Sequence, residues 1–229
     1  MAFLSVDFLL LLPLAVSLYH VIPTTWRSFC LLAYSYLFYC TWSLPYAALL
    51  LVVSLAVQRL GLRIEASVED SVQKRYLAVG VVCLSLLLFA FKYAPVVSGR
   101  LSSLLAPLGV SYYTFKLVSY LVDVYWEKIP AERNVVAFLL YPVFFPQIVS
   151  GPIQRARDFL PQVKVAGPVD PSLIASGLRW ILFGLFKKFV IADRLALFVN
   201  RIFDSPHNYG SVGLLLACYA FAIQLYADF

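Results

Sequence analysis

The chain has 229 residues, of which 62% are hydrophobic and 13% charged, and its mean hydropathy is +0.84. A soluble domain carries roughly 45–50% apolar and about 25% charged residues, and disorder requires low hydrophobicity with high charge, so both classes are excluded. What is left is an all-α polytopic transmembrane helical bundle, read as a single membrane domain over residues 1–229.

Eighteen Lys and Arg against 12 Asp and Glu give a net charge of +6. The sequence has no basic run of five or more. The excess therefore reads as loop charge that orients helices and meets anionic headgroups, with the lipid bilayer as partner and no nucleic acid. Cys30, Cys40, Cys83 and Cys218 each lie in an apolar stretch and form no Cys-x-x-Cys pair. They read as small hydrophobes, with no disulfide framework and no metal site.

A membrane span needs about 20 apolar residues. The first runs over Phe3–Ile22; with no Lys or Arg before Arg27 it lacks the basic start of a signal peptide and reads as a retained helix. The second, Phe29–Leu44, is rich in aromatics and ends near Trp42, as aromatic rings favour the headgroup level. Pro45 then suits the first turn of a third, short span at Tyr46–Leu60. Arg59–Arg75, with four cations, reads as a cytoplasmic loop, which places the N-terminus outside. A fourth span covers Tyr76–Ala94, and Gly99–Ala106 is a linker. Further helical segments are expected at Pro107–Trp126, Asn134–Val149 (interrupted by Pro142 and Pro146), Leu173–Val199 and Ser211–Phe229, with a loop at Gly151–Ser172. The total is about six to eight membrane or re-entrant helices. The last segment is apolar to its final residue, which suggests a chain cut inside a helix.

A charged residue at the bilayer centre costs roughly 2.5–3.5 kcal/mol, so charges within apolar segments usually face protein or a water-filled cavity. On a helical wheel, Tyr112, Tyr113, Ser119, Tyr120 and Asp123 fall within about 60° of Lys116, while Leu117 and Leu121 lie outside that arc. Two readings stand: the stripe lines a polar cavity, or it makes interhelical hydrogen bonds with Lys116 snorkelling. In Leu173–Val199, Gly177 and Gly184 share a face suited to close packing, and an unbroken helix would also align Lys187 with Arg194. Lys187, Lys188, Asp193 and Arg194 mark either the end of the span or a buried anion-handling patch. Arg155, Arg157 and Asp158 follow Gly151-Pro152 as a solvated loop or as a re-entrant turn. His20 reads as interfacial at the end of the first span and His207 as solvated in the turn Ser205-Pro206-His207-Asn208; neither has a neighbouring carboxylate and nucleophile arranged to argue a catalytic pair, and the chain has no P-loop or Gly-x-Ser-x-Gly. No internal repeat is visible, which disfavours a secondary transporter. These patterns define a helical membrane protein with a polar-lined interior and no assignable reaction.

Four stretches carry a resemblance. They are PLGVSYYTFKLVSYLVDVY at Pro107–Tyr125, FFPQIVSGPIQRARDFLPQ at Phe144–Gln162, GLFKKFVIADRLA at Gly184–Ala196 and AFAIQLYADF at Ala220–Phe229. In this order they resemble the membrane-bound O-acyltransferase family, in the branch of the alginate O-acetyltransferase membrane subunits, with D-alanyl-lipoteichoic-acid exporters more distant. The resemblance implies the N-terminal half of that fold. It implies an enzyme passing acyl groups, acetyl from acetyl-CoA, through a membrane channel to an exported polysaccharide. The polymer would be alginate or similar, with periplasmic acetyltransferases as partners and the bacterial inner membrane as location. The family's catalytic histidine lies in a later Arg-Trp-His stretch that no residue here matches. Neither His20 nor His207 inherits the role, no catalytic residue is assigned, and no bound cofactor is expected. Arg155, Asp158, Lys187, Lys188 and Asp193 match family motif positions, and Tyr113, Lys116, Tyr120 and Asp123 become a funnel wall. The sequence departs from the family at Lys116, where Gln is usual, and at Ala227, where Phe is usual. Competing expectations are a non-catalytic or split-gene partner subunit, and a small-solute transporter.

Overall fold

A computed structural model describes residues 6–93, 107–148, 151–164 and 170–228, with side chains from residue 14 onward. Every regular element among the described residues is helical. The chain forms two compact units, Met1–Gly167 and Pro168–Phe229.

The first unit begins with α1 (Val6–Val21) and α2 (Thr24–Cys40), separated at Pro23. Next comes α3 (Leu44–Ala66), which starts with Pro45 in its first turn, where the missing N–H is one the helix would leave unpaired anyway. Then α4 follows at Asp70–Lys92. Both α3 and α4 are 23 residues long and apolar enough to cross a membrane, as is the final helix of the chain. The expected long loop at Arg59–Arg75 is a three-residue connection, since α3 runs through Arg59 and Arg63 and α4 through Lys74 and Arg75. Arg, Lys, Glu and Gln are good helix formers, so the charges here do not end the helices. The linker at Gly99–Ala106 lies outside the described residues.

Helix α5 (Val110–Tyr125) packs against α3 and α4. Small residues permit the approach: a Cβ on Gly61 would sit 2.8 Å from the Tyr120 ring, and one on Gly80 2.5 Å from Leu121. Burial on α5 is wider than the polar stripe, for Leu117 and Leu121 are fully buried as well. The core is completed by α6 (Val135–Val143), nine residues that are buried from Ala137 onward. Asn134 caps it, accepting from the N–H groups of Val136 and Ala137 at 3.0 and 3.2 Å. Pro142, with no N–H to donate, falls in its last turn. The expected loop at Gly151–Ser172 contains α7 (Ala156–Lys164), whose Ala156, Phe159 and Leu160 are buried at helical spacing.

The second unit opens with α8 (Pro171–Phe186), capped by Asp170. The expected single helix over Leu173–Val199 is three segments in continuous sequence: α8, a π-helical stretch at Lys187–Ala192, and α9 (Asp193–Phe203). After a short 3₁₀ turn at Pro206–Asn208 comes α10 (Ser211–Asp228). The final residue of the expected segment, Phe229, lies outside the described residues. A Cβ on Gly177 or Gly184 would meet nothing within 4 Å, so among the described residues their shared face is open.

Candidate functional site

The first two motifs meet in space. Gly109 adopts φ +68°, and a Cβ there would lie 2.1 Å from the Ile148 carbonyl oxygen. The start of α5 thus approaches the Phe144–Gln162 stretch too closely for any side chain at this position. Tyr39 of α2 donates to the Leu108 carbonyl at 2.8 Å and steadies the same turn.

About two turns further along α5, Lys116 is only 3% exposed. Its ammonium donates to the Tyr141 carbonyl at 3.0 Å and to Gln147 Oε1 at 2.7 Å. It also lies 5.0 Å from the Tyr141 ring centroid and 5.7 Å from that of Phe159. Gln147 Nε2 donates to Gln154 Oε1 at 2.8 Å, and the Tyr141 hydroxyl donates to the Gln154 carbonyl at 3.0 Å. Among the described residues no carboxylate pairs with Lys116. The cation is held by carbonyl dipoles and ring faces, which compensate part of its desolvation.

Tyr113, Tyr120 and Asp123 of the stripe are buried too, while Tyr112 and Ser119 are half-buried. Tyr120 accepts the Glu132 N–H at 3.0 Å. Glu132, 6% exposed, pairs with Lys164 at 2.7 Å, and its carbonyl accepts from Gln58 of α3 at 3.0 Å. The Tyr113 hydroxyl, Thr114 Oγ1 and Asp123 Oδ2 are buried with no hydrogen-bond partner among the described residues. The structure therefore brings Tyr113, Lys116, Tyr120 and Asp123 to the inward side of α5. Arg155 and Asp158 stand apart from them, exposed at the start of α7, where Asp158 lies 3.6 Å from Arg157.

In the second unit the other two motifs meet. Lys188 pairs with Asp193 at 3.1 Å and, more closely, with Asp228. Lys187 lies over the rings of Phe183 and Tyr226, 4.7 and 5.6 Å from their centroids. Lys188 and Asp193 are five residues apart, a spacing that an α-helix would point to different sides. The π-helical winding, with its i→i+5 hydrogen bonds, brings them together. The Asp193 N–H indeed donates to the Lys188 carbonyl. A wheel drawn for an unbroken α-helix, which aligned Lys187 with Arg194, misses this.

Glu132, Lys164, Tyr141, Gln147, Gln154 and Gln58 escaped the sequence reading. Gln58 and Gln147 carried a signal, as amides within apolar or motif segments. Glu132 followed a proline in an apparent loop and carried none.

Long apolar helices enclosing a polar interior define a helical membrane protein. No protein-family model matches the sequence. The chain is 34% identical over 246 residues to "Probable alginate O-acetylase AlgI" of Azotobacter vinelandii, a match covering all of this chain and 49% of that protein. It is 27% identical over 231 residues to "Peptidoglycan O-acetyltransferase" of Helicobacter pylori, covering 85% of this chain and 44% of the relative. It is 31% identical over 134 residues to "Teichoic acid D-alanyltransferase" of Bacillus subtilis, covering 56% and 33%. Over its whole length the chain is thus similar to the alginate O-acetylases, in agreement with the resemblance to membrane-bound O-acyltransferases. It spans about half the length of the curated relatives it matches.

Proposed function

We propose that the chain is the N-terminal part of a membrane-bound O-acyltransferase that moves acetyl groups to an exocellular polysaccharide such as alginate. The observation that carries this reading is a match over all of this chain, and about half of the relative, at 34% identity to a protein named for alginate O-acetylation. The folding of its motifs into two polar clusters supports it. The protein sits in the bacterial inner membrane as a multi-pass bundle of about six to eight membrane or re-entrant helices, counting those shorter than a full span. Acetyl-CoA is the donor, and periplasmic acetyltransferases and the exported polymer are partners. Tyr113, Lys116, Tyr120 and Asp123 border the acyl passage; their inward placement and the unpartnered polar atoms on α5 suit a wet wall. Arg155 and Asp158 stand at its rim, and Lys187, Lys188 and Asp193 hold the third motif to the fourth within the second unit. The 229 residues do not turn over alone, because no residue in them matches the family's Arg-Trp-His stretch.

The test is a chimera in which residues 1–229 replace the matching half of the Azotobacter protein in cells making alginate. Acetylated alginate is expected. A chimera that reaches the membrane and leaves the polymer bare overturns the proposal. Labelled acetyl transfer by the 229-residue chain alone, above an empty-vector control, overturns the claim that it needs a further segment.

A further inference from the structure

An apolar groove of about 440 Å³ runs between α3 and α4. Val53, Val57 and Leu60 line one wall, and Val79, Cys83 and Leu87 the other. The only charged lining residues are Arg59 and Arg63, one turn apart on the last third of α3. Both are exposed, and neither forms an ion pair among the described residues. Arg63 lies 5.8 Å from the Tyr76 ring centroid. The nearby acids have other partners: Asp70 with Lys74 and Tyr125, Glu65 with Arg133 and the Ala131 N–H, and Glu69, in the connection, accepting from the Ser71 hydroxyl.

The dimensions fit a lipid. From Val53 to Arg63 the groove extends ~15 Å along the helix axis, half of the ~30 Å hydrocarbon core and so one leaflet. Arginine at the membrane surface needs an anionic partner, and its fork matches a phosphate.

We propose that this groove binds one anionic phospholipid, its acyl chain along Val57 and Cys83 and its phosphate on Arg59 and Arg63. The proposal is independent of the acyltransferase reading. Two cations acting on an anionic headgroup give roughly 30-fold preference over a zwitterionic lipid.

The experiment is native mass spectrometry of the detergent-purified chain with phosphatidylglycerol or phosphatidylcholine of identical acyl chains. Roughly 30-fold preferential retention of phosphatidylglycerol is expected. R59Q/R63Q should abolish the preference, R59K/R63K should keep most of it, and K74Q/R75Q, outside the groove, should leave it intact. V79F, which fills the groove from an exposed position, should displace the lipid. Unchanged preference in R59Q/R63Q overturns the site, and so does equal loss in K74Q/R75Q, which would indicate a diffuse basic surface. Displacement by soluble glycerophosphoglycerol at lipid-like concentration also overturns it, since the acyl chain would then contribute nothing. If R59Q/R63Q does not accumulate, V79F and K74Q/R75Q decide.

Discussion

Replacing Gly109 by alanine tests the junction between the first two motifs. At φ +68° an L residue pays roughly 1–2 kcal/mol for the left-handed conformation. The added Cβ would also stand 2.1 Å from the Ile148 carbonyl oxygen, a backbone atom that cannot rotate away. Moving one segment against the other is overpacking, worth another 1–3 kcal/mol or so. The sum is a loss of about 2–5 kcal/mol in the first unit. Gly177→Ala is the internal control: its Cβ meets nothing, and exchanging a helical glycine for alanine gains about 0.5–1 kcal/mol. Thermal and denaturant unfolding of both variants in one detergent measures the difference. If G109A unfolds at the wild-type midpoint, the Gly109–Ile148 contact does not hold the motifs together and the description of the junction fails.

Other variants probe the two clusters. Tyr120→Phe orphans the buried Glu132 N–H and should cost about 1–3 kcal/mol, whereas Tyr113→Phe removes a hydroxyl with no partner among the described residues and should be near neutral; unfolding midpoints separate them. D193N and D228N should each cost about 0.2–1 kcal/mol because their pairs with Lys188 are partly solvated, and K188M should make both further changes neutral in a double-mutant cycle. Asp170 caps α8, and hydrogen bonds from the Ser172 hydroxyl and N–H hold its carboxyl below the ordinary value of 3.8. Its contribution is thus complete above pH 3.8 and fades as pH falls through the lower folded value; the midpoint gap between wild type and D170A should be present at pH 7 and close in that acid range. In a chain freed of native cysteines, D123C should react with a membrane-impermeant thiol reagent; a site sealed from both sides would refute the wet wall.

The amino-acid sequence by itself determined the class, because apolar runs of span length admit only helices in lipid. Local periodicity and proline placement also located most segments, and the ordered motifs pointed to the family. Charge misled at Arg59–Arg75, where long polar side chains extend two helices toward the surface instead of breaking them. Only the tertiary structure decided which motifs touch. Lys116 finds Gln147 across 31 residues and Lys188 finds Asp228 across 40, separations over which periodicity carries no information. Glu132 became a buried hub through partners on three other segments, at Gln58, Tyr120 and Lys164. The π-helical turn at Lys187–Ala192 was equally hidden, because its residue pattern reads as ordinary helix and its register shows only in the backbone hydrogen bonds.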